Sequence, residues 1–314
     1  MKTLPAGLQL PAVTHVPRAE EAGEPARLLR LADGRCLAWQ EYGDPRGDPL
    51  YVMHGFPGSR LQARLLEEPA RRSGVRLVGV DRPGFGASTP APDRAVLDWP
   101  RDVAALADHL GDQDFGMLGI SCGGAYALAC AHRMGMRLHY VGLIAGMGPM
   151  ELPHLRAGQL PVLRAMFALA RVNRWLAAPM LLADALMFRL APEKAMATLA
   201  VLLAEPDRRM LAQEPHMRSA LIESFVEAYR QGIGGPLAEA RLIALPRGFD
   251  CADIRGAVHL YQGDLDRHVT FAMANYLVGR LESGRMKTYR GEGHLSIVRA
   301  AAQDCLRDFK ESLQ

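Results

Sequence analysis

An α/β protein with a mostly parallel central sheet, helices on both faces and an inserted all-helical lid is the fold class this 314-residue sequence predicts. Three observations carry the expectation. Short apolar runs alternate with helical patterns up to about residue 146, the pattern is helical throughout from 147 to 247, and alternation then resumes. Parallel strands need long crossovers, so βαβ alternation implies a sheet covered on both faces, with ligands at the carboxyl ends of its strands.

Residues 1 to 26 are rich in Pro, Ala and Glu without periodicity and read as an amino-terminal arm. Ala26 to Leu31 and Arg35 to Tyr42, joined by Ala32-Asp33-Gly34, pattern as an antiparallel hairpin. Strands are expected at Leu50 to Met53, Val75 to Val80, Phe115 to Leu118 and Tyr140 to Ala145, separated by helices near Gln62 to Arg72, Trp99 to Leu110 and Cys122 to Met134. Prolines 153, 192, 206, 215 and 236 break the helical stretch into Gly158 to Ala170, Arg174 to Leu190, Glu193 to Leu203, Met217 to Gln231 and Leu237 to Leu245. A strand at Ala257 to Gln262, a helix at Phe271 to Leu281, a strand at Arg285 to Tyr289 and a helix at Ile297 to Leu313 complete the chain. The expected division is an arm at 1–26, a core of 27–146 with 248–314, and a helical cap at 147–247.

The net charge of +3 is small for this length, and the densest basic patch, Arg71, Arg72 and Arg76, reads as a solvated face. Nucleic acid is therefore not an expected partner. Pro5 and Pro11 interrupt the amino terminus, so no signal-peptide apolar region forms. Pro179 to Leu190, the longest apolar stretch, contains Asp184 and Arg189 and is too short to span a bilayer. Five cysteines, odd in number and scattered without metal-ligand spacing, fit a reduced cytoplasmic protein without structural disulfides, and no metal is expected.

The chemistry-bearing residues fall where strands end. Ser121 lies in Gly119-Ile-Ser-Cys-Gly123, between an apolar strand run and an alanine-rich helix. A sharp strand-to-helix turn exposes such a serine as a nucleophile and leaves room only for small neighbours at its crowded flanks. His54-Gly-Phe-Pro-Gly-Ser-Arg60 follows the Leu50 strand, and the N–H groups of Phe56 and Cys122 can converge on one oxyanion. Asp81-Arg-Pro-Gly-Phe-Gly-Ala-Ser88 reads chiefly as a turn in which Asp81 and Arg82 fasten neighbouring backbone. Later, Gly263-Asp-Leu-Asp266 and Gly293-His294 supply an acid and a base in the order Ser, Asp, His, which is that of a nucleophile-elbow hydrolase.

Together these motifs resemble the α/β-hydrolase fold superfamily in its capped serine-hydrolase, esterase- or lipase-like form, over about residues 27 to 312. The resemblance implies a catalytic Ser121, His294 and Asp266, with an oxyanion hole from Phe56 and Cys122 and the helical insertion in the lid position. The family's acid stands three residues after a glycine, which selects Asp266 over Asp264; Glu151 is the fallback. Haloalkane dehalogenases and epoxide hydrolases of this fold carry aspartate where Ser121 stands. Cysteine nucleophiles of the fold stand at the elbow centre, one residue before Cys122.

The expected activity is hydrolysis of a small carboxylic ester through an acyl-enzyme, with an apolar acyl or alkyl group under the lid and no cofactor. Met147, Met150, Met166, Met180, Met187, Met196, Met210 and Met217 supply adaptable apolar side chains, mostly as packing with a few facing the cleft. Arg156, Arg164, Arg171 and Arg174 read as solvated, with carboxylate binding the lesser reading. A ligand-sensing protein with little turnover, or a peptidase or tailoring hydrolase of the same fold, are the alternatives. Oligomeric state is not legible.

Overall fold

The computed structural model describes residues 25–314, so most of the expected amino-terminal arm lies outside the described residues. Eight strands form one sheet: β1 (Arg27–Arg30), β2 (Cys36–Gly43), β3 (Asp48–Met53), β4 (Val75–Val80), β5 (Phe115–Ile120), β6 (Leu138–Ile144), β7 (Ala257–Gly263) and β8 (Ser283–Tyr289), in the order β1-β2-β4-β3-β5-β6-β7-β8. The β1–β2 hairpin is antiparallel, β2 runs antiparallel to β4, and every pairing from β4 through β8 is parallel. The chain steps from β3 outward to β4 and then crosses back to β5 on the other side of β3. That reversal opens a crevice at the carboxyl ends of β3 and β5, where ligands of open parallel sheets bind.

Both faces of the sheet are covered because the central strands alternate their apolar side chains between the two faces. Tyr51, Met53, Val78, Val80, Phe115 and Met117 pack in one cluster with α2 (Trp99–Leu110), α3 (Gly123–Met134) and α10 (Phe271–Arg280). Leu50, Val52, Val75, Leu77, Leu118 and Ile120 pack in the other with α11 (Ser296–Glu311) and Ala70 of α1 (Glu67–Arg72). Adjacent residues on a pleated strand point to opposite faces, so one uninterrupted apolar run serves two layers.

One helix differs from its expected form. Gln62 to Arg72 is not continuous α-helix: Arg60–Leu66 is a tight 3₁₀ segment and only Glu67–Arg72 is α-helical. Pro69 lacks the N–H that a longer α-helix would use there, and it is tolerated only in a helix's first turn.

Between β6 and β7 lie six helices: α4 (Pro161–Val172), α5 (Ala178–Leu190), α6 (Pro192–Leu202), α7 (Glu205–Gln213), α8 (Pro215–Ala228) and α9 (Gly234–Ala244). The prolines expected to end helices instead begin them. Pro192 and Pro215 are the first residues of α6 and α8, and Pro206 stands in the first turn of α7. A first-turn N–H has no intrahelical partner, so proline loses nothing there. No helix among the described residues is long and apolar enough to cross a membrane, and Cys36, Cys122, Cys130, Cys251 and Cys305 are free.

Candidate functional site

Ser121 occupies the turn between β5 and α3 with φ +54, a left-handed conformation that a side-chain-bearing residue adopts only when its surroundings impose it. Its N–H donates to Ile144 O at 2.9 Å and its C=O accepts from Gly124 and Met147 N–H, each at 3.0 Å. The flanking glycines are steric requirements. A Cβ on Gly119 would stand 2.6 Å from the Gly124 Cα, and one on Gly123 would run into the Met53 carbonyl.

Cys122 heads α3. Its thiol donates to Met147 Sδ at 3.5 Å and burial pushes its pKa up to about 12, so it stays protonated. Among the described residues, neither the Phe56 nor the Cys122 backbone N–H donates to a protein acceptor.

The His54 turn is held from behind. Arg82, fully buried, donates to the carbonyls of His54 (2.5 Å) and Gly55 (3.0 Å) and pairs with Glu239 of α9 through two nitrogens. Asp81 accepts from the backbone N–H of Arg60 and Ala87 and from the Arg60 guanidinium. Both residues are thus fasteners, as their turn suggests. Gly55 N–H donates to Gln62 Oε1 at 2.5 Å, and the Phe56–Pro57 peptide is cis.

At the ends of β7 and β8, His294 Nδ1 and Asp266 Oδ2 are 2.8 Å apart. Asp266 is buried and its other oxygen accepts the N–H groups of His268 (2.7 Å) and Val269 (2.9 Å). Burial alone would push the Asp266 pKa up, but the His294 imidazole outweighs it and holds the carboxyl below its usual range. For His294 burial pulls downward while Asp266 pulls up more strongly, leaving the imidazole above its ordinary value. Asp264 accepts from Gly291 N–H at 2.7 Å instead, and Glu151 Oε2 is buried without a partner.

Ser121, His294 and Phe56 line one cavity of about 420 Å³ at the crevice. Its walls are overwhelmingly apolar and come largely from the insertion, with Met166, Leu181, Phe188, Leu203, Leu221 and Phe225 among them. Three of the eight expected methionines, Met166, Met180 and Met187, reach it, while Met147, Met150, Met196, Met210 and Met217 are buried as packing. None of Arg156, Arg164, Arg171 and Arg174 lines it, so the carboxylate-binding reading of these arginines falls; Arg174 lies over the Trp175 ring instead.

Three contributors were not read from the sequence. His268 stacks on His294, ring centroids 4.6 Å apart and 13° from parallel, and also lines the cavity. Burial first and His294 second push its pKa down to about 3, so it stays neutral. The signal for it was its place two residues after Asp266. Asp207 of α7 accepts backbone N–H groups from His294, Leu295 and Ser296. Only Gly293, a residue that permits close approach, hinted at a neighbour there. Glu239, which holds Arg82, had no local signal.

Asp266, His268 and His294 bring one ligand atom each within 4.8 Å. Of these atoms, His294 Nδ1 and Asp266 Oδ2 are already paired with each other at 2.8 Å.

The serine turn, the histidine–aspartate pair and the apolar cavity thus gather at one switch point of a mostly parallel sheet. The chain belongs to the alpha/beta hydrolase fold family, whose model matches residues 48–298. It is 37% identical over 131 residues to the dihydrolipoyllysine-residue acetyltransferase component of the acetoin cleaving system of Pseudomonas putida, covering 41% of this chain and 35% of that protein. It is 33% identical over 108 residues to the proline iminopeptidase of Xanthomonas citri, covering 33% of this chain and 34% of the relative. The chain thus spans about a third of the length of these curated relatives. A solved structure of a thermophilic esterase from Thermogutta terrifontis shares its fold with a TM-score of 0.67 at 18% identity, over 92% of this chain and 99% of that one.

Proposed function

We propose that the chain is a serine hydrolase acting on carboxylic esters with an apolar acyl or alkyl group. One observation carries the reading: a serine on a strained turn shares an apolar cavity with an imidazole whose far nitrogen is bonded to a buried carboxylate. With Nδ1 committed to Asp266, Nε2 is the nitrogen left for the serine. Ser121 Oγ attacks the ester carbonyl carbon while His294 Nε2 takes its proton. Asp266 holds the tautomer and stabilises the imidazolium. The unclaimed N–H groups of Phe56 and Cys122 stabilise the oxyanion, each such donor contributing about 3 kcal/mol. Collapse expels the alcohol, which receives the proton from His294, and a water deprotonated by the same imidazole then releases the acid and regenerates Ser121. No step needs a metal or organic cofactor.

The insertion, residues 147–247, acts in this reading as a cap over a core of 27–146 and 248–314, and its apolar walls receive the acyl or alkyl group. The printed names of the relatives, an acetyltransferase and iminopeptidases, concern acyl or amide bonds, which supports the reaction class. Ser121→Ala is expected to lower kcat on short p-nitrophenyl esters by roughly 10⁴-fold or more and to abolish labelling by a fluorophosphonate, with thermal melting unchanged. Undiminished turnover in the folded variant ends the proposal.

A further inference from the structure

Asp207 stands on α7, inside the helical insertion, and is buried at 1% exposure. Its carboxylate accepts three consecutive backbone N–H groups across the start of α11: Oδ2 from His294 at 3.1 Å, and Oδ1 from Leu295 at 2.9 Å and Ser296 at 2.8 Å. These groups would otherwise be the unpartnered donors of a helix end, and the negative charge meets the positive end of the helix. A Cβ on Gly293 would collide with both carboxylate oxygens, so glycine at that position is what admits Asp207.

His294 is therefore held at two points by two parts of the molecule. Asp266, at the end of a core strand, fixes the ring through Nδ1. Asp207 fixes the backbone, and it comes from a helix that packs on α8 and α11. The charged and titratable groups around the imidazole are Asp266 on the ring edge, His268 on the ring face and Asp207 on the backbone side. Of the two carboxylates, only the one on the insertion can be withdrawn by moving the insertion.

We infer that Asp207 is a positioning residue for His294, and that the imidazole is held in line with Ser121 only while the insertion is seated on the core. The inference rests on the reading of His294 as the base. A loss of alignment of about 1 Å is enough to matter, because misplacing a catalytic group by that much costs on the order of 100-fold in rate.

The test uses the full chain, p-nitrophenyl butyrate and fluorophosphonate titration to count competent sites. Asp207→Ala should lower kcat per site by roughly 10- to 100-fold with KM within about twofold. Its acid limb should move to lower pH, because a negative charge that favours the imidazolium is gone. Asp207→Asn, which keeps one acceptor oxygen, should recover part of kcat but not the limb. Gly293→Ala should mimic Asp207→Ala by driving the carboxylate away, and the double variant should fall short of the product of the singles, since the methyl then has room. If Asp207→Ala does not fold, the Asn variant and the Gly293→Ala comparison still decide. Kcat per site within about twofold of wild type in Asp207→Ala, or in Asp207→Asn where the alanine variant does not fold, overturns the inference. So does an unmoved acid limb, or strict multiplicativity in the cycle. A Ser121→Ala variant that turns over normally overturns the hydrolase reading instead, so the two failures are separable.

Discussion

From Phe115 to Ala131, through β5, the serine turn and most of α3, every residue is buried. On α5, by contrast, Leu182, Leu186 and Leu190 stand 49%, 46% and 77% exposed. Eleven of the fifteen large apolar side chains exposed among the described residues lie between Val162 and Leu202. The first region is placed by burial and steric exclusion. The insertion as a whole packs through its inner apolar side chains, Phe167, Leu181, Leu211 and Ile222 among them, and adds buried charge: Asp207, Glu223, Glu227 and Glu239, on α7, α8 and α9, receive donors from the His294 loop, Arg64, Arg60 and Arg82. The contrast teaches that the elbow is fixed by close packing on every side, whereas the insertion adds to its apolar contacts a set of buried carboxylates that meet core partners.

The largest effect should come from the core acid. Asp266→Asn preserves shape but removes the charge that orients His294, and kcat should fall by about 10⁴-fold. The active form carries a neutral imidazole, and Asp266 holds its pKa above the ordinary value. Removing the carboxylate lowers that pKa, so the residual activity should persist to lower pH, as read from a kcat/KM profile. An acid limb that moves upward would break the assigned pairing.

Next comes the keyed interface. Arg82→Met leaves Glu239 buried with its principal cation gone, and losing one partner of a buried pair costs about 3–5 kcal/mol. Denaturant unfolding measures it. Arg94 and Tyr126, which also reach Glu239, set how far the loss is softened. A loss below about 1 kcal/mol would show that apolar packing, not charge, seats the insertion.

The smallest effect is expected on the outer face of α5. Leu186→Gln with Leu190→Gln should change unfolding free energy by no more than about 0.5 kcal/mol per site and leave turnover of soluble esters unchanged. A larger loss would mean that this face is covered in solution.

His294 follows the polar strand β8 and stood out by Gly293 and by the order Ser, Asp, His, whereas Ser121 and Asp266 stood out because each follows an apolar strand run and has a glycine at a short fixed offset, a local demand that one stretch of chain records. Arg82 and Asp81 were legible as fasteners for the same reason. Asp207 was not. Its helix is polar and short, its proline reads as a break, and its partners lie 87 to 89 residues away. The tight turn at Arg60–Leu66 was misread because the apolar spacing of a 3₁₀ segment and of an α-helix differ little over two turns.

Strand order of appearance, the serine turn and the chemical types at each strand end were determined by the sequence alone, because two-residue periodicity, glycine spacing and crossover length are local quantities. Which methionines face the cavity, which ring stacks on His294 and what holds His294 from the insertion side were decided only in three dimensions. Those contacts join residues tens of positions apart, and their hydrogen bonds and charges act through space with no periodic trace along the chain.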